Sequence, residues 1–179
     1  MVLMLATSGE VLVACGLEDA WALFNRFDEV ATLIPTLKSI EFKGEEIWAT
    51  MGVQLGVISV TSRVMLHVVH IAPWRITAEG WSFLGETIHT QINRNGPEGI
   101  EKDAKGKLTI HLELEPVNGV GVLVKYAAEV DAFGRLKRIY QSILKSKAPP
   151  LMEEFAMRLR AALDIGVDIS LTSLEGPPL

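Results

Sequence analysis

The sequence predicts an α+β domain, a single antiparallel sheet of roughly six to eight strands wrapped around one long, kinked C-terminal helix. Three observations predict it. A short helical period follows the first strand. From Leu37 to about Ala132, short extended segments alternate with turn residues. After Gly134 the apolar period becomes helical and stays so to Leu163.

Glu10 to Ala14, with the apolar residues before it, reads as the first strand. Leu17, Ala20, Trp21, Phe24 and Phe27 then recur at three- and four-residue spacing. They form one face of a short helix opened by Glu18 and Asp19, where negative charge suits the helix dipole. Val30, Leu33 and Ile34 extend the helical region until Pro35 ends it. Strands are expected at Leu37–Lys43, Ile47–Leu55, Ile58–Ala72, Arg75–Trp81, Thr87–Arg94, Leu108–Glu115 and Val122–Ala132, bounded by turns such as Lys43-Gly44, Ala72-Pro73 and Asn118-Gly119. In Leu108–Glu115 the apolar Leu108, Ile110, Leu112 and Leu114 alternate with Thr109, His111, Glu113 and Glu115, which marks a sheet with one wet face. Consecutive segments of this kind form hairpins, so the sheet is antiparallel. The last helix, at about 1.5 Å per residue, is roughly 40 Å long, comparable to the width of about seven strands spaced about 4.8 Å apart, so it can lie across the sheet. Pro149-Pro150 removes two donors and crowds the preceding turn, so a kink is expected there. Residues 1–163 read as one domain and 164–179, ending in Gly176-Pro177-Pro178-Leu179, as a loosely held tail.

Composition supports one sizeable core: 179 residues, 49% of them apolar and 22% charged, with a mean hydropathy of +0.27. That excludes intrinsic disorder. A net charge of −5 gives no electrostatic reason to bind nucleic acid. The lone Cys15 supports neither an internal disulfide nor a structural zinc site, which points to a cytoplasmic protein. Met1 to Ala6 has no basic residue ahead of it and is too short for a signal peptide's apolar region. No stretch approaches the roughly 20 apolar residues of a membrane span.

Sequence order and spacing carry a resemblance. Ala20-Trp21 in the first helix, Ile34-Pro35 closing the second, Leu55-Gly56 at a hairpin, Gly80 inside a strand, Gly134-Arg135-Leu136 leading into the last helix and Phe155 far along it occur in the order of the START-like (SRPBCC) superfamily. The chain resembles its helix-grip fold, and in particular the carbon monoxide dehydrogenase CoxG family, from about Glu10 to Leu163. Two turns depart from that family's pattern, at Thr36 and at Asn118-Gly119-Val120-Gly121. The resemblance implies a non-catalytic domain that binds a hydrophobic, lipid- or quinone-like molecule and serves as an accessory subunit of a carbon monoxide dehydrogenase-type molybdenum hydroxylase. Two alternatives stay open, a polyketide cyclase or hydrolase-like enzyme using the same cavity, and a pure protein-interaction subunit with a collapsed interior.

The residues offer an apolar cleft between sheet and helix. Its candidate lining is Met51, Val53, Val64, Leu66, Ile76, Ile88 and Tyr126 from strands, with Leu144, Leu151 and Phe155 from the helix. Val68, Ala78, Ile92 and Ala128 from strands and Ile143 from the helix belong to the same candidate lining. Arg63, His67, His70, Arg75, Gln91 and Asn93 are the polar residues available to orient a ligand from these strands. His67 and His70, three apart in a strand, point to opposite faces and cannot share a metal ion unless a bulge intervenes; no metal or other cofactor is expected. No Gly-x-Ser-x-Gly turn or phosphate loop occurs, and Cys15 has no obvious base. From Gly134 to Arg160 the chain holds seven of its 17 basic residues and only two of its 22 acidic ones. Such a basic helix either rests on the inner face of a membrane, docks an acidic protein, or is a solvated face whose cations pair with the sheet's acids.

Overall fold

A computed structural model describes residues 4–85 and 105–172, with the side chains of the last helix described as far as Asp164. The elements are β1 (Leu5–Val13), α1 (Leu17–Phe24), α2 (Phe27–Thr32), β2 (Leu37–Lys43), β3 (Glu46–Leu55), β4 (Ile58–Ala72), β5 (Arg75–Leu84), β6 (Lys105–Val117), β7 (Gly121–Ala132), α3 (Gly134–Ser146) and α4 (Ala148–Thr172). The seven strands form one antiparallel sheet in the order β1-β7-β6-β5-β4-β3-β2. The strand expected at Thr87–Arg94 lies outside the described residues. Helix continues through the backbone of 164–172, the first part of the expected tail.

The C-terminal helix is broken at the prolines into two helices. Lys147 ends α3, its amide still donating to the Ile143 carbonyl at 2.8 Å, and the Leu151 amide restarts the ladder on the Lys147 carbonyl at 3.1 Å. Pro149 and Pro150 fall in the first turn of α4, where a missing N–H costs no intrahelical bond.

Packing divides into two cores along the sheet. At one end Ala20, Leu23 and Phe24 of α1 and Leu159 and Leu163 of α4 cover Val11, Val13, Val122 and Val124 of β1 and β7. The β4–β5 hairpin is held under α1 by Trp74, whose ring stacks edge-on against Trp21 at 5.7 Å. Trp74 adopts φ +69°, as the second central residue of the Pro73-Trp74 turn, and its carbonyl accepts the Leu114 amide at 2.8 Å. At the other end Leu136 of α3 packs with Ala49, Val64, Leu108, Val130 and Ala132. Of α3, only Leu136 is buried.

The outer face of the sheet carries an aromatic cluster. Trp48 and Phe83 are buried there with Met65 and Trp81 against them, and the Arg63 guanidinium lies 5.4 Å above the Trp48 ring.

Candidate functional site

A cavity lies between α3 and the β3–β4–β5 part of the sheet. Met51, Val53, Val60, Ser62 and Leu84 form its floor, and Leu136, Ile139, Tyr140 and Ile143 its roof. The floor follows from strand alternation. Val64 pairs with Ala49 and Ser82, and Ser62 pairs with Met51 and Leu84, so these side chains share the inward face. The roof follows from helical spacing, since 136, 139, 140 and 143 recur at three and four residues. Its volume is about 20 Å³, room for about one water molecule and no more.

The polar groups in this apolar enclosure are hydroxyls. Ser82, fully buried on β5, hydrogen-bonds the Tyr140 hydroxyl across the gap between sheet and helix, and Ser62 is a second partner of that hydroxyl. Burial pushes the Tyr140 phenol above its ordinary pKa, with both serine contacts opposing in part, so it stays protonated at neutral pH. No residue lining this cavity is charged.

Among the residues expected from the sequence, Met51, Val53 and Ile143 line the cavity. Val64, Leu66 and Ala128 belong to the core around Leu136, next to it. Ile76, Val68, Tyr126 and Phe155 lie in the other core, where the Tyr126 and Phe155 rings meet edge-to-face at 5.2 Å. Leu144 and Leu151 are half-buried and stand off the cavity wall. Ile88, Ile92, Gln91 and Asn93 lie outside the described residues.

The polar candidates among the described residues, Arg63, His67, His70 and Arg75, turn away from the cavity. Arg63 points outward and donates to Thr50 Oγ1 at 2.7 Å with Glu41 at 3.5 Å. Arg75 is exposed and pairs with Glu113 at 3.1 Å. The histidine pair needs a correction. The register shifts between Val68 and His70, so His67 stands opposite Glu79 and His70 opposite Thr77, and both side chains lie on the same outer face. That is the bulge that spacing alone does not signal. Among the described residues, no three His, Cys, Asp or Glu side chains are placed to hold a metal ion. The Cys15 thiol is held above its ordinary pKa by burial first and then by the carboxylates of Asp19 and Asp164, which is the opposite of an activated nucleophile.

Sequence reasoning missed Ser62, Ser82 and Tyr140. Ser62 and Ser82 sit at the inward parity of their strands, in step with Val64 and Leu84, and Tyr140 sits on the apolar stripe of its helix. That parity was the available signal.

Comparison with known proteins places this geometry. No curated protein sequence matches the chain. A conserved protein of Geobacillus kaustophilus has a similar structure, with 16% identity over 90% of this chain and 95% of that one and a TM-score of 0.64. The Zhui aromatase/cyclase of Streptomyces sp. R1128 is similar over 92% of this chain and 96% of its own, with 8% identity and a TM-score of 0.60. The di-domain aromatase/cyclase StfQ of the steffimycin biosynthetic pathway shares 12% identity over 93% of this chain and 53% of its own, with a TM-score of 0.58. These likenesses establish the helix-grip fold. The family model of the carbon monoxide dehydrogenase component CoxG matches residues 9–164, so the chain belongs to the CoxG family.

Proposed function

We propose that the chain is a non-catalytic carrier of a hydrophobic small molecule, lipid- or quinone-like in class, which it takes up beneath α3 and exchanges at an anionic membrane surface. The observation that carries this reading is an apolar enclosure roofed by a helix with one buried anchor, Leu136, and a broken joint at Lys147. A volume of about 20 Å³ admits no such ligand as it stands. Entry therefore requires α3 to swing outward about that joint, at the loss of the Leu136 contacts. No helix among the described residues is long and apolar enough to cross a membrane, so contact with lipid would be lateral. Lys137, Arg138, Lys145 and Lys147 of the α3 region enter no ion pair among the described residues, so the pairing with the sheet's acids that would neutralise this face is missing. Family membership supports an accessory role beside a carbon monoxide dehydrogenase-type molybdenum hydroxylase. The small volume favours a second reading, an interaction subunit with a collapsed interior.

Transfer of a neutral fluorescent apolar probe between anionic vesicles tests the proposal. The parent protein should accelerate transfer at low salt and less so at physiological salt, where the Debye length is about 8 Å. Reversing two charges, Lys137→Glu with Lys145→Glu, should slow it by roughly tenfold or more at low salt, because each cation contributes about 1 kcal/mol at an anionic surface. Stability should change by less than about 0.5 kcal/mol. Transfer indifferent to salt and to the reversal would remove the membrane from the account. Binding of an acidic protein, with vesicles ignored, would replace lipid by protein as the partner. No transfer by the parent would leave the collapsed-interior reading standing.

A further inference from the structure

We infer that Tyr140, Ser82 and Ser62 form the polar anchor of the cavity and select an apolar ligand ending in a neutral acceptor oxygen, a ketone or an alcohol, over one ending in a carboxylate. This rests on the carrier reading above and names the class of ligand. Three hydroxyls carry three protons, and the two contacts that Tyr140 makes with the serines use two of them. One O–H is left to donate. Ser62 and Tyr140 line an enclosure whose other lining is apolar, from Met51, Val53 and Val60 below to Ile139 and Ile143 above.

Charge decides the selectivity. An ionised carboxylate entering here would lose its hydration and meet no cation, since Arg63, the basic residue of β4, turns to the outer face and is engaged by Thr50 and Glu41. A ketone loses far less hydration and regains one hydrogen bond. A fully buried serine in an otherwise apolar strand face is itself costly unless bonded, and the Tyr140 contact meets that requirement. When α3 lifts, the same contact opens and the ligand oxygen takes its place.

A purely structural role for the trio, fastening α3 to the sheet, would alter stability and leave ligand preference untouched. The test therefore reads preference. Dissociation constants for octan-2-one, n-octane and octanoate are measured at pH 7 by NMR titration on the parent and on the Tyr140→Phe, Ser82→Ala, Ser62→Ala triple variant. The parent should bind octan-2-one roughly three- to tenfold more tightly than n-octane, the factor that one hydrogen bond supplies, and octanoate roughly tenfold or more weakly than the ketone. In the triple variant the ketone should lose its advantage over n-octane while n-octane binds as well as before or better. Equal binding of ketone and hydrocarbon by the parent, or a preference that survives in the variant, overturns the anchor while the carrier reading stands. Failure of all three probes to bind the parent overturns both.

Discussion

Replacing Gly80 by alanine is expected to destabilise the domain by about 3 kcal/mol or more. A Cβ at this position would stand 1.7 Å from the Met65 carbonyl oxygen, 2.7 Å from its carbon and 2.9 Å from the Leu66 Cα. These are backbone atoms of the neighbouring strand, so no rotamer relieves the clash. Strands β4 and β5 must separate where Gly80 pairs with Leu66 and Leu108 in the middle of the sheet. That separation would displace Ser82 and Leu84, two and four residues on, from beneath α3. Gly44 provides the comparison. It sits in the β2–β3 turn with φ +61° and nothing within 4 Å of a built Cβ, so Gly44→Ala should cost only the left-handed backbone penalty of about 1 to 2 kcal/mol. Urea unfolding of both variants checks the difference, and equal losses would show that crowding at Gly80 is relieved by sheet motion.

Leu136→Ala should cost about 2 to 5 kcal/mol, because it removes the one buried side chain of α3 and leaves a void among Ala49, Val64, Leu108 and Val130. The void opens into the cavity that Leu136 lines. A neutral apolar ligand at about 100 times its Kd should then restore about 2.7 kcal/mol. Leu159→Ala, equally buried but in the α4 core away from the cavity wall, should lose as much stability and recover none. Thermal unfolding with and without the ligand separates the two. A loss under about 1 kcal/mol at Leu136 would mean that α3 is fastened elsewhere.

The two stretches Leu37–Lys43 and Ile58–Ala72 have the ends that their pattern and flanking turns assign them. β1 runs from Leu5 to Val13, joining the apolar residues before Glu10 to those after it through Thr7-Ser8-Gly9. Its inward positions there are Thr7 and Gly9, which hydropathy does not register as apolar. Gly9 is nevertheless where Tyr126 and Met152 settle, since a Cβ would meet them at 2.7 and 2.6 Å. The break at Pro149 was legible because proline's missing donor acts locally. The bulge beside Val68 was not, because it depends on how β4 meets β5. The inward parity of the polar trio was legible but its contact was not, for the same reason: Ser82 and Tyr140 are 58 residues apart and become neighbours only when α3 folds over the sheet. Arg63 looked available to a ligand by residue type, yet its strand position, one step from inward-facing Val64, already sends it outward.

The central claim, that the space beneath α3 receives an apolar ligand, is tested most directly by filling it. Ile143, on the roof of the cavity, is changed to tryptophan, and the affinity of the neutral dye N-phenyl-1-naphthylamine is measured by fluorescence on the parent and on the Ile143→Trp variant. The larger ring should occupy the space at a stability cost of about 1 to 3 kcal/mol, so the variant stays folded. The account predicts that the parent binds the dye and that the folded variant binds it at least roughly tenfold more weakly, a loss of about 1.4 kcal/mol. Equal affinity in the two proteins, or no binding by the parent, would contradict it.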